Sequence, residues 1–168
     1  MQSENASPPP FARRVIVGLD GKGASTVVAD ERNLPSTRLP NGILLQELWQ
    51  QRANPAGPND RPDPTWTLGP AAPTEGVVVR ILTVPAANGG EPAEPDLHTD
   101  LSLHVITMLG GELIVILEDG EVTLGVGDSI VLRGSMHDLR NVQPGPATFV
   151  YTSFPLSERV AQSTTEVF

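Results

Sequence analysis

The 168-residue chain contains no cysteine. A disulfide framework and thiolate catalysis are thereby excluded, and any metal must be held by nitrogen and oxygen donors. Basic residues are also scarce: 11 Lys and Arg against 20 Asp and Glu leave a formal net charge of −9, with no cationic cluster. An acidic surface repels phosphate backbones, so nucleic acid is not an expected partner. No stretch approaches the roughly eighteen consecutive apolar residues of a membrane span. The opening MQSENASPPPF has neither the basic nor the apolar region of a secretory signal. A soluble, cytoplasmic protein with no membrane partner is the expectation, and the length suits one domain.

What the chain does have is punctuation. With 17 Pro and 16 Gly spread along it, helices are interrupted throughout and short strands separated by turns are favoured. RRVIVGLD and ASTVVAD flank a glycine-rich reversal and read as a hairpin. GLDGKG lacks the spacing of a phosphate-binding loop and is read as that turn. NGILLQELWQQ is a strand candidate with some helix ambiguity, Arg52 to Gly76 a long proline-rich loop, and GVVVRILTV a valine-rich strand. From His104 to Phe154 five or six strands fit between glycine turns, with Asp119-Gly120 the strongest hairpin signal. Such spacing predicts an all-β sandwich or barrel. The expected organisation is a flexible segment over 1–12, one barrel over 13–156 and a tail over 157–168, whose LSERVAQ suits a short helix capped by Ser157.

Histidine occurs three times, and two of the three stand in LHTDLSLH, residues 97–104. His98, Asp100 and His104 share one face of an extended strand. On a straight strand rising about 3.3 Å per residue the two imidazoles would lie roughly 20 Å apart. Meeting at one site therefore predicts a chain reversal within DLSL. His137 follows a strand and a glycine turn and would arrive from across the barrel. Imidazole nitrogens with a carboxylate suit one divalent ion of Fe, Zn, Mn, Ni or Cu.

These residues resemble the cupin family. Its first motif, G(X)5HXH(X)3-4E(X)6G, maps onto HTDLSLHVITMLGG with His98 and Asp100 at the two histidine positions, His104 at the glutamate position and Gly111 as the closing glycine. Its second motif, G(X)5PXG(X)2H(X)3N, maps onto GDSIVLRGSMHDLRN with Gly134, His137 and Asn141 in register. This chain departs from the pattern: Pro92 stands where the opening glycine belongs, Leu132 where proline is usual, and the segment after Gly127 is one residue shorter. The second histidine is an aspartate and the glutamate a histidine, so three imidazoles and one carboxylate remain with identities exchanged.

The resemblance implies a jelly-roll barrel with an N-terminal strand extension, a metal held by His98, Asp100, His104 and His137, and a small-molecule substrate inside the barrel. The chemistry it allows is dioxygenation, isomerisation, decarboxylation or dehydration. A homodimer is implied by the same analogy. The alternative is a metal-free binding or sensor module. Four residues outside the motifs, Arg80, Tyr151, Glu47 and Trp49, are further candidates. Arg80 interrupts an apolar strand, where a guanidinium facing inward needs an anion, either a substrate carboxylate or a structural acid. Tyr151 is the only tyrosine and a candidate proton donor, and Asp100 is either a ligand or a proton acceptor. Glu47 and Trp49 alternate on one face of their strand, where they line the mouth or mark an edge strand.

Overall fold

The computed structural model describes residues 13–52, 73–87 and 94–157, with residues 55, 57, 59–61, 69 and 89 between them. Eleven strands carry these residues: β1 (Arg14–Leu19), β2 (Ser25–Glu31), β3 (Ser36–Arg38), β4 (Leu44–Gln51), β5 (Val77–Val84), β6 (Ser102–Gly110), β7 (Leu113–Leu117), β8 (Gly120–Leu124), β9 (Ser129–Arg133), β10 (His137–Arg140) and β11 (Ala147–Pro155). There is no helix among the described residues. The expected flexible segment 1–12, most of the tail helix, most of the loop 52–76 and Pro92 lie outside them.

Three sheets form, all by antiparallel pairing. β1 and β2 make a hairpin apart from the rest, the large sheet runs β3-β4-β5-β11-β6-β9, and the small one β10-β7-β8. Valine and isoleucine dominate β5 and β7, where branched side chains pack well on a pleated surface. In β6 the period of two is plain: Ser102, His104, Ile106 and Met108 are buried, and the residues between them are not. The faces of the two larger sheets meet in one apolar cluster. Ile106, Met108, Leu132, Val84 and Phe149 come from the large sheet and Leu113, Val115 and Leu124 from the small one. Burying each side chain of this size stabilises the fold by about 1.5–3 kcal/mol.

The interior changes character along the strands. Following β11 inward-facing residues, fully buried Phe149 is succeeded by Tyr151 and Ser153; following β6, Met108 and Ile106 give way to His104 and Ser102. One end of the barrel is thus oily and the other polar, and the polar end holds the site.

Two local features correct the sequence reading. A β-bulge falls between Glu47 and Trp49, so that Glu47 pairs with Arg80, Trp49 with Val79 and Gln50 with Val78. The extra residue, Leu48, reverses the alternation, and Glu47 and Trp49 lie on opposite faces rather than on one. Second, DLSL is not a tight reversal into an antiparallel neighbour. His98 forms an isolated antiparallel bridge with His137, with backbone N–H groups donating in both directions at 3.0 and 2.9 Å, beside the small sheet. The chain then crosses to the large sheet and enters β6 at Ser102. Hydrogen bonds from the Leu156 N–H to the Leu101 carbonyl and from the Gly134 N–H to the Ser102 carbonyl hold the crossing. The β7–β8 hairpin forms as expected, but its two turn residues are Glu118 and Asp119, with Gly120 opening β8 at φ 109.

Candidate functional site

At the polar end a cavity of about 1190 Å³ opens between the inner face of the large sheet and the segment 94–101 beside β10. His98, Asp100, His104, His137, Arg80 and Tyr151 all line it. The crossing described above achieves this: His98 and His137 are bridged on one side, while His104 and Tyr151 stand on neighbouring strands of the other. The ring centroids of His98 and His137 are 4.8 Å apart, those of His104 and His137 5.8 Å, and those of His104 and Tyr151 4.8 Å.

Two imidazoles are held in a defined tautomer. His98 Nδ1 lies 2.9 Å from the Asp96 carbonyl oxygen and His137 Nδ1 2.8 Å from that of Ser135. A carbonyl oxygen only accepts, so each Nδ1 carries the proton and donates it, leaving the Nε2 lone pair available. Outer hydrogen bonds of this kind orient metal-ligating histidines. His104 differs. Its Nε2 lies 3.0 and 3.2 Å from the two carboxylate oxygens of Asp100 and 3.4 Å from the Tyr151 hydroxyl. Its Nδ1 is buried with no hydrogen-bond partner among the described residues.

Burial lowers the pKa of His104 below the usual imidazole value; the Asp100 carboxylate opposes this, and the neighbouring His137 and His98 add to it. The ring is therefore neutral at pH 7. Tyr151 is pushed up to about 12, chiefly by burial, and keeps its proton at any physiological pH.

Deeper in the cavity Arg80 donates from Nε to Glu47 Oε2 at 3.2 Å, both side chains 4% exposed. Arg80 faces the interior and pairs with a structural acid at once, so the two placements weighed for it are not exclusive. Burial raises the Glu47 carboxyl above its ordinary value despite Arg80, and its Oε1 has no hydrogen-bond partner among the described residues. Leu39, Ile43, Leu45 and Leu82 supply an apolar wall beside this pair.

The donor set fits a borderline divalent ion in kind: three imidazoles and a carboxylate, two of the rings with Nε2 free. As the side chains stand, however, no group of three or more among the described residues is arranged to hold a metal ion. The His104 Nε2 is turned to Asp100 and Tyr151. Sequence reasoning missed Asp96 and Asp138, two further carboxylates at the imidazole end of the cavity. Their signal was adjacency, Asp96 two residues before His98 and Asp138 directly after His137. The carbonyls that fix the tautomers carry no sequence signal at all.

No family model and no curated protein matches the chain. Solved structures do. The cupin domain of Cnp3 from Schizosaccharomyces pombe superposes with a TM-score of 0.53 at 12% identity, covering 93% of this chain and 96% of that one. A protein assigned to ethanolamine utilization, protein Q from Salmonella typhimurium LT2, gives 0.51 at 14% identity over 87% and 98%. The fold is the cupin jelly roll, an all-β barrel. Among the described residues no helix is long and apolar enough to cross a membrane.

Proposed function

We propose that this barrel is a metal-dependent enzyme acting on a small organic molecule within the cavity. The observation that carries the reading is the pairing of His98 and His137: adjacent rings, each with Nδ1 tied to a carbonyl and Nε2 left as a lone pair at the cavity wall. These two would hold the ion, with Asp100 and His104 completing its shell. When bound, such an ion supplies Lewis acidity to an oxygen of the substrate.

The chain's own residues supply the rest. Tyr151, protonated at physiological pH, presents a hydroxyl donor beside His104. Asp100, one-third exposed at the cavity edge, accepts a proton or a hydrogen bond. Leu39, Ile43 and Leu82 bury the apolar part of the substrate and limit water around the polar groups. Metal analysis of protein purified without a histidine tag tests the reading. The expected result is close to one transition-metal ion per chain, lost in His98→Ala.

A second reading, a metal-free binding or sensor module, is favoured by the engagement of His104 Nε2 with Asp100 and Tyr151. It predicts no stoichiometric metal in wild type and small-molecule binding that chelators do not alter.

A further inference from the structure

We infer that the deep end of the cavity is an anion-recognition subsite in which Arg80, steadied by Glu47 and flanked by Tyr151, receives the carboxylate of an organic acid with an apolar body. The assignment rests on the reading of this cavity as the small-molecule site, but not on its metal.

Register fixes the arrangement. Glu47, Arg80 and Tyr151 are directly opposite one another on three consecutive strands, β4, β5 and β11. Arg80 and Tyr151 line the cavity while Glu47 stands behind Arg80 and does not. Glu47 thus takes the Nε edge of the guanidinium and sets its orientation, as a backing acid does for a bidentate donor. Arg80 is 3% exposed, where a charge interacts far more strongly with an anion than it would in water.

The pair is a poor stabiliser of the fold. A buried ion pair costs desolvation that an apolar pair of similar volume avoids. Here one carboxylate oxygen lacks a hydrogen-bond partner among the described residues as well. Its position is better accounted for by recognition than by stability.

The distribution of charge orients the ligand. Glu94, Asp96, Asp100 and Asp138 line the imidazole end, Glu94 and Asp96 at its exposed rim. A carboxylate is repelled there and attracted to the guanidinium at the far end. Leu82 lies two residues from Arg80 on the same face of β5, and Leu45 two residues from Glu47 on β4, so the body of the ligand beside its carboxylate meets hydrocarbon.

The test compares benzoate with benzamide and hexanoate with hexanamide, titrated by calorimetry and NMR into the full chain, chelator-treated and metal-loaded in parallel. At least one acid should bind tenfold or more tighter than its amide in both preparations. Arg80→Gln should erase that preference while Glu47→Gln only weakens it. Should Arg80→Gln not fold, the charge-neutral double variant Glu47→Gln/Arg80→Gln is used, and the preference should again be gone. Equal binding of acids and amides by the wild type overturns the inference. So does a preference that survives loss of Arg80. A preference seen only in metal-loaded protein and retained in Arg80→Gln assigns anion binding to the ion, which overturns the inference and upholds the proposed function. A preference intact in protein that takes up no metal upholds the inference and removes the metal reading.

Discussion

Replacing Arg80 with methionine keeps most of the side-chain volume and leaves Glu47 as an unpaired carboxylate, 4% exposed, inside the barrel. Removing one partner of a buried pair generally costs about 3–5 kcal/mol. Here protonation sets a ceiling. The carboxyl's ordinary pKa is 4.5, about 2.5 pH units below neutrality, and each unit is worth about 1.36 kcal/mol. At pH 7 the group therefore takes a proton once its electrostatic penalty exceeds about 3.4 kcal/mol, and the loss of stability from charge stops there. At about 2–4 °C per kcal/mol for a chain of this size, that ceiling corresponds to a fall in Tm of at most roughly 7–14 °C. At pH 5 the ceiling drops below about 1 kcal/mol, and most of the difference from wild type should vanish. Thermal and urea unfolding of wild type, Arg80→Met and Glu47→Gln/Arg80→Met at both pH values measure this, with the double variant close to wild type. A loss of equal size at pH 7 and pH 5 would refute the reasoning, because it would belong to the packing of the arginine stem and not to the stranded charge.

Glu47 itself titrates in the same direction. Its folded pKa is raised, so the folded state binds the proton more readily than the unfolded one, and its contribution to stability is full below the ordinary value and is lost as pH rises through the raised one. Relative to Glu47→Gln, wild type should therefore gain stability between pH 7 and pH 5; a constant or opposite difference contradicts the assignment. Phe149→Ala, at a fully buried position in the apolar cluster, should cost about 3–5 kcal/mol in urea unfolding. Gly111→Ala should cost about 1–3 kcal/mol, since Gly111 has φ 73 and an added Cβ would sit 2.5 Å from the Pro146 carbonyl oxygen. Gly110→Ala, which meets nothing within 4 Å, is the control and should stay within about 0.5 kcal/mol. His137→Ala should lower retained metal to background in elemental analysis, and retention of the ion would show that it is held elsewhere.

The strands were legible where alternation or β-branching was strong. VVVRILTV, SLHVITMLG and LIVIL became β5, β6 and β7, and the hairpin around Asp20 to Gly23 formed as its glycines suggested. The residues of the site were legible too, because polar side chains at inward positions of apolar strands stand out: Arg80 in β5 and His104 in β6 both face the interior. How they meet was not legible. A period of two placed His98 and His104 on one strand face and forced a reversal between them, whereas the fold leaves His98 bridged to His137 beside the small sheet and puts His104 in the large one. Which strand pairs with which is a long-range choice that local periodicity does not encode. The bulge at Leu48 was hidden for a related reason. Nothing in LLQELWQQ marks one residue as supernumerary, and only the facing register of β5 reveals it.

That bulge gives the barrel an unusual degree of freedom. Excising Leu48 would restore regular pleating along β4 without turning any side chain over: Trp49 would follow Glu47 directly and stay opposite Val79, and Gln50 would stay opposite Val78. A single codon deletion at this point would leave the wall next to Arg80 composed as it is, whereas loss of Gln50 with the bulge kept would bring Gln51 opposite Val78, so that where the chain shortens decides whether the chamber is retuned.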